Sequence, residues 1–306
     1  MREKVGYLGP KGTFTETAAD ALYPDEELIP YATIPACMEA VSGAEIDYCV
    51  VPLENAIEGS VNLTMDYLFH DRVLSIVGEV VLPIRQHFMV HPDRVDDWMD
   101  VEKVYSHPQA ISQCHHFLKD HLPDAAISFT NSTAAAAEWV NEHPEENAGA
   151  LGNSLAAQMY GLVTVRQDVH DYSNNHTRFV VLNREGRPFK SDNAPHIRDK
   201  TTLTVTLPHD FSGALHQVLS AFAWRKLNMS KIESRPTKTG LGNYFFIIDV
   251  DMKMDDVLIP GVKSELEALG CNVDIVGSYP CYKAEEILMS AGVNNFVGVH
   301  LFMSDH

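Results

Sequence analysis

The chain has 306 residues, 45 % of them apolar and 21 % charged, the make-up of an ordinary globular protein with enough length for two or three cores. Its 23 basic and 42 acidic side chains leave a formal charge of −19, which argues against nucleic acid and anionic membrane surfaces as partners. Apolar runs stay far below the length of a membrane span, so no transmembrane helix is expected.

In chain order, KVGYL (Lys4–Leu8) reads as a strand, and GPKGTF (Gly9–Phe14) as a Gly/Pro turn leading into a helix from Thr15. A strand-like start lacks the apolar core of a signal peptide, so a cytoplasmic protein is expected. Ile34–Ser42 has helical spacing. YCVVPL (Tyr48–Leu53) is a continuous apolar run, as in a parallel strand covered on both faces. ENAIEGS (Glu54–Ser60) is a polar loop before a third helical stretch, Val61–Phe69. Val73–Ile84, Gln86–His91 and Val104–Ser106 read as extended. HPQAISQCHHFL (His107–Leu118) predicts one helix with Pro near its start, where the missing N–H costs little. Further strand–helix alternations follow, ending in RFVVLN (Arg178–Asn183), and the repeated order predicts parallel α/β sheets with ligands at strand ends.

Arg184–Lys200 is polar and charged, with two prolines, and reads as a linker. A strand from Thr201, a helix over Phe211–Leu227, strands at Met229–Pro236 and Asn243–Asp251, a helix over Asp255–Leu269 and a strand at Asn272–Tyr279 then give βαββαβ, a ferredoxin-like unit. GLGNYF (Gly240–Phe245) lacks the third glycine of a dinucleotide fingerprint and precedes a strand, so no such cofactor is expected. Five cysteines (Cys37, Cys49, Cys114, Cys271 and Cys281) form no CxxC pair and read as reduced, structural thiols. Cys114, His115, His116 and His121 have no strong metal-motif spacing, and no metal is expected.

Four strand ends and one polar run collect chemistry. At GPKGTFTE, glycine backbone and a helix start suit an anion, and a structural turn fits equally. At PLENAIEGS, Glu54 is placed to orient or exchange a proton and Asn55 to donate to an oxygen; a helix cap at Ser60 is the alternative. At SHPQAISQC, Ser106 is placed to cap the helix, and Gln113 lies in an apolar stretch where it needs a partner. NSTAAAAEWV opens an Ala-rich helix with Asn131, Ser132 and Thr133. SNNHTR (Ser173–Arg178) runs straight into the core strand FVVL. Together they outline a cofactor-free pocket of hydroxyls, amides and helix ends, with Arg178 beside it, suited to a small carboxylated substrate.

GPKGTF, VPLENAIEGSV, YSHPQAISQC, NSTAAAA and NHTRFVVL, in this order, resemble the successive signatures of the prephenate dehydratase family, and the second unit resembles an ACT regulatory domain. The resemblance covers about residues 4–282. It implies a two-lobed α/β catalytic region over 1–183, like a type II periplasmic binding protein, a linker over 184–200, an ACT domain over 201–282 and a tail over 283–306. With no chorismate mutase helices ahead of the catalytic part, the monofunctional form is implied. The implied reaction turns prephenate into phenylpyruvate, carbon dioxide and water, without metal or organic cofactor, in a homodimer or homotetramer inhibited by L-phenylalanine. An arogenate dehydratase and a non-catalytic amino-acid sensor are the alternatives.

By resemblance, Thr177 assists the departing hydroxyl, and Glu54, Asn55, Ser106 and Gln113 surround the substrate. Arg178 matches the same motif, with mainly a supporting part, while Thr13, Asn131, Ser132 and Thr133 hold carboxylates at helix ends. Gly213, Ala214 and Leu215, with Glu233, Ser234, Arg235 and Pro236, match the two phenylalanine-binding motifs; His216 stands where an apolar or aromatic residue is expected. His176 is a tempting acid, as imidazoles in general are, but it lies outside the motif and is read as a turn residue.

Overall fold

The computed structural model describes residues 2–71, 74–209, 211–238 and 244–284. The first lobe begins with β1 (Lys4–Leu8), α1 (Phe14–Leu22), β2 (Glu27–Tyr31), α2 (Ile34–Ser42) and β3 (Tyr48–Asn55). Then come the short β4 (Gly59–Ser60), α3 (Asn62–Asp66) and β5 (Ser75–Pro83). Strands β1, β2 and β3 are parallel, as the strand–helix alternation requires. Thr13 and Thr33 start α1 and α2 by accepting the N–H groups of Glu16 and Ala36.

β5 carries the chain into the second lobe. That lobe holds β6 (His87–Val90), β7 (Lys103–Ser106), α4 (Pro108–Gln113), α5 (His115–His121), β8 (Ala126–Phe129), α6 (Thr133–Glu142), β9 (Ala148–Gly152), α7 (Ser154–Met159) and β10 (Val163–Arg166). Its sheet runs β10-β6-β9-β7-β8. The single helix predicted over His107–Leu118 is two helices broken at Cys114. The Asp171 carboxylate accepts the N–H groups of His115 and His116, satisfying a new helix start there. The predicted cap, Ser106, is also displaced: His107 Nδ1 accepts the Gln109 N–H, while the fully buried Ser106 donates to the Leu151 carbonyl at 2.8 Å.

The chain returns through β11 (His176–Asn183), between β3 and β5. The sheets are therefore mixed rather than all parallel. A strand that leaves a lobe and a neighbour that re-enters it must run in opposite directions, and β11 is antiparallel to both β3 and β5. The C-terminal unit follows as β12 (His196–Thr206), α8 (Ala214–Ala223), β13 (Met229–Pro236), β14 (Tyr244–Val250), α9 (Leu258–Ala268) and β15 (Asn272–Lys283). β12 begins inside the segment predicted as a linker, because β15 runs on far enough to pair with it, Tyr282 opposite His196. Gly240–Asn243 and the predicted tail from residue 285 onward lie outside the described residues.

The C-terminal unit is not a separate bead. β15 pairs in parallel with β5, so among the described residues ten strands form one sheet in the order β13-β14-β12-β15-β5-β11-β3-β1-β2, with β4 beside β3. A Cβ on Gly277 would sit 2.1 Å from the Ile76 carbonyl oxygen, so only glycine lets β15 come this close to β5. The core is shared across the seam: Phe245, Ile247, Tyr279 and Cys281 pack with Val180, Leu182, Met65 and Leu68. No described helix is long and apolar enough to cross a membrane.

Candidate active site

Thr177 is the second residue of β11, opposite Asn55 at the end of β3. Strand alternation sends residues 175 and 177 to one face and 176 and 178 to the other. The Asn55 carboxamide is fixed end for end: its Oδ1 accepts the N–H groups of Ile57 (3.0 Å) and Glu58 (3.1 Å). Its NH2 group therefore faces Asn175 Oδ1 and Thr177 Oγ1, both at 2.9 Å. Asn175 Nδ2 in turn donates to Gln113 Oε1 (3.1 Å), and Gln113 Nε2 to Glu58 Oε1 (3.3 Å). Gln113 comes from α4 in the second lobe, so this chain of amides spans the junction of the two lobes. Thr177, Asn175 and Gln113 are all buried. Among the described residues the Thr177 hydroxyl accepts one bond and donates none, which leaves its proton available.

Arg178 and Glu54 point to the opposite face of the same two strands. Arg178 binds Glu54 Oε2 (2.6 Å), Glu79 Oε2 (2.6 Å) and Asp249 Oδ2 (2.8 Å). Glu79, on β5, also takes Lys200 Nζ at 2.8 Å, and Asp249, on β14, takes the Thr202 hydroxyl at 2.7 Å. Burial disfavours the Arg178 charge, yet the Glu79 and Asp249 carboxylates outweigh it and raise its pKa further. Burial likewise works to raise the Glu54 pKa, but hydrogen bonds and charges from Lys231 and Arg178 bring it below the usual value. Both Glu54 oxygens are thus held by cations, Oε2 by Arg178 and Oε1 by Lys231.

The remaining candidates lie at helix starts. Thr13 Oγ1 caps α1 and donates to the Leu8 carbonyl at 3.1 Å; Ser132 caps α6, Thr133 is buried and Asn131 is exposed. Gly12, at φ +81°, lets the first-lobe loop reach the second lobe, since a Cβ there would lie 3.4 Å from Ala134 Cβ and Ala156 Cα. Asn153 caps α7 through the Ala156 N–H, while its buried Nδ2 has no partner among the described residues. Sequence reading missed Asn153, Asn175, Glu79 and Asp249. Asn175 lay in the polar run already singled out; the carboxylates lay inside strands, where only a charge amid an apolar run marked them.

Gly213, at φ +91°, begins α8, Ala214 is buried and Leu215 is exposed, as is His216. In β13, Ser234 and Pro236 are exposed, whereas Glu233 accepts from Ser60 Oγ and Arg235 binds Asn62 and Asp66, each at 2.7 Å. Ser60 thus fastens β13 and caps nothing; Val61 occupies the cap position of α3 and offers no side-chain hydrogen bond. The Asp66 pKa is lowered too: burial opposes its charge, and Lys238 and Arg235 overcome that. A carboxylate with a depressed folded pKa adds stability above its unfolded pKa and loses it as pH falls through the folded value. Protection of the amides in 229–236, measured against the intrinsic exchange rate at each pH, is therefore expected to fall below about pH 4. Equal protection there at neutral and acid pH would contradict these pairings.

Among the described residues no group of three His, Cys, Asp or Glu is placed to hold a metal ion. Cys114 is buried, and His116 pairs with Asp171 at 3.2 Å.

The sequence profile of the family described as prephenate dehydratase matches residues 5–187. A prephenate dehydratase of Bacillus subtilis (strain 168) is 55 % identical over 283 residues, 92 % of this chain and 99 % of that protein. The crystal structure of a prephenate dehydratase from Arthrobacter aurescens in complex with L-Phe superposes with a TM-score of 0.80 at 34 % identity, covering 90 % of this chain and 89 % of that one. GqqA, described as a novel type of quorum quenching acylase, superposes with a TM-score of 0.78 at 25 % identity, over 91 % and 98 %.

Proposed function

The chain belongs to the prephenate dehydratase family, and on that premise we propose that it converts prephenate to phenylpyruvate, carbon dioxide and water in phenylalanine synthesis. The observation that carries the mechanism is the Asn55 carboxamide, which fixes Thr177 Oγ1 as a hydrogen-bond acceptor and leaves its proton to point at substrate. In the reaction the bond from the ring to its carboxylate breaks and carbon dioxide leaves. The freed electron pair enters the ring, which becomes aromatic as the bond to the ring hydroxyl breaks. The departing hydroxide takes a proton and leaves as water. Electrons balance within the substrate, in keeping with a cofactor-free reaction.

A threonine hydroxyl is far too weak an acid to give up its proton outright, so Thr177 stabilises the departing oxygen by hydrogen bonding while one proton per turnover, taken up from bulk solvent, converts it to water. Asn175 and Gln113 hold Asn55 in register. Glu54 and Arg178 support the two strands from behind. The substrate carboxylates would lie at the starts of α1 and α6, near Thr13 and Asn131–Thr133, where helix dipoles favour anions. Local donors are needed because a chain of charge −19 repels an anion at long range, although salt screens that beyond about 8 Å. The unpartnered Asn153 amide is one more such donor. Asn153→Ala is expected to raise KM for prephenate by about tenfold, the loss of one hydrogen bond to a charged group, with little change in kcat. An unchanged KM in steady-state kinetics would remove Asn153 from the site.

L-phenylalanine bound to the C-terminal unit is the proposed inhibitor, supported by the L-Phe complex of the relative from Arthrobacter aurescens. Exposed Leu215, Trp224, Ile232 and Tyr244 suit that unit to self-association as a dimer or tetramer. A cytoplasmic setting fits a biosynthetic enzyme of this family. Among the described residues the acylase reading finds no base for a Thr177 nucleophile: His176 points to the other strand face, with Nδ1 on the Asn174 carbonyl at 3.1 Å. The deciding experiment incubates the protein with prephenate or arogenate, with and without L-phenylalanine, and measures phenylpyruvate or phenylalanine formed. Tight prephenate binding without product would favour the sensor reading instead.

A further inference from the structure

β3 and β11 are gripped from two sides. On the cleft side Asn55 holds Thr177; on the far side Glu54, the residue before Asn55, faces Arg178, the residue after Thr177. The two oxygens of Glu54 are held by different parts of the molecule. Arg178 takes Oε2 at 2.6 Å, and Lys231 of the C-terminal unit takes Oε1 at 2.9 Å. The Lys231 side chain is only 10 % exposed and its ammonium lies 3.0 Å from Ser60 Oγ and 3.1 Å from Glu233 Oε2, so its three protons have three acceptors around Glu54 and its loop.

Lys231 lies two residues before Glu233, on the strand that carries the second effector motif. Alternation along β13 turns Lys231, Glu233 and Arg235 toward the first lobe and leaves Ile232, Ser234 and Pro236 exposed. One face of this strand is thus open to an effector while the other holds the loop that begins at Glu54. From this geometry we infer that Lys231 is a positioning residue for catalysis, through which a shift of β13 on effector binding reaches Asn55 and Thr177. The inference rests on the reading that prephenate is the substrate and L-phenylalanine the effector. The contact reaches the reacting group in few steps: Lys231 to Glu54, one peptide unit to Asn55, and one hydrogen bond to Thr177. A displacement of β13 that breaks the Lys231–Glu54 bond frees the end of β3, and the Asn55 amide loses its fixed aim.

The test compares wild type, Lys231→Met and Lys231→Arg in steady-state kinetics with prephenate, and measures L-phenylalanine binding by calorimetry. In Lys231→Met, kcat is expected to fall by about tenfold with KM within about twofold, a typical coupling between linked sites. Saturating L-phenylalanine should inhibit that variant far less than wild type while binding it at least as tightly. Lys231→Arg should restore most of both effects. Wild-type kcat and full inhibition in Lys231→Met would overturn the inference. So would loss of binding in step with loss of inhibition, since Lys231 would then belong to the effector site itself. Should Lys231→Met fail to fold, Lys231→Gln, which drops the charge and keeps a donor, is read in its place. The wild-type arm separates the two readings: absence of turnover or inhibition there refutes the parent function and not the coupling.

Discussion

Replacing Thr177 with alanine is expected to lower kcat for prephenate by about a hundred- to a thousandfold, the usual cost of removing one hydrogen-bond donor aimed at developing charge. KM should change little, because the bond strengthens only as hydroxide departs. Thr177→Ser should keep most activity, since the hydroxyl survives and Asn55 still orients it. Stability should barely move: Thr177 sits at the open end of β11, and the variant frees a single donor of an amide that keeps its other partner, Asn175, at 2.9 Å. Steady-state kinetics with a melting curve checks this, and normal turnover in Thr177→Ala would refute the assignment.

Replacing Arg178 with methionine is expected to destabilise the fold by about 3–5 kcal/mol, the typical penalty for leaving buried charges without their counter-ion. Glu79 and Asp249 are almost fully buried and share this one guanidinium, so the variant strands the Asp249 carboxylate and leaves Glu79 with Lys200 alone at the seam between the first lobe and the C-terminal unit. That loss is a large fraction of the 5–15 kcal/mol on which a domain usually depends, taken as about 10 kcal/mol. Adding Asp249→Asn to Arg178→Met should recover part of it, because one stranded charge is removed with its partner. Arg178→Lys should fall between, as a lysine cannot fork across three carboxylates. Urea unfolding followed at the seam decides; a midpoint equal to wild type in Arg178→Met would show that the cluster is not structural.

The order of elements was legible from periodicity and turn chemistry. β1, α2 and β13 begin and end where their patterns did, because their boundaries are marked by local signals that act within a few residues. The helix break at Cys114 was not legible, since the carboxylate that creates it, Asp171, lies more than fifty positions away in the chain. The same holds for the buried role of Ser106, whose partner is on β9. The antiparallel place of β11 depends on where the chain returns from the second lobe, which no local pattern records.

At the candidate site, sequence alone determined which strand ends and helix starts gather hydroxyls and amides, because such groups at the mouths of apolar strands are a one-dimensional signal. It also singled out Thr177 through the motif around it. Only the tertiary structure decided how those residues divide. Alternation of side chains across β3 and β11 puts Thr177 and Asn55 on one face and Arg178 and Glu54 on the other, and only the docking of β13 and β14 shows what that second face meets. Neighbours in the chain thus became partners in opposite tasks, because a pleated strand turns each successive side chain the other way and the sheet continues past the lobe into the C-terminal unit.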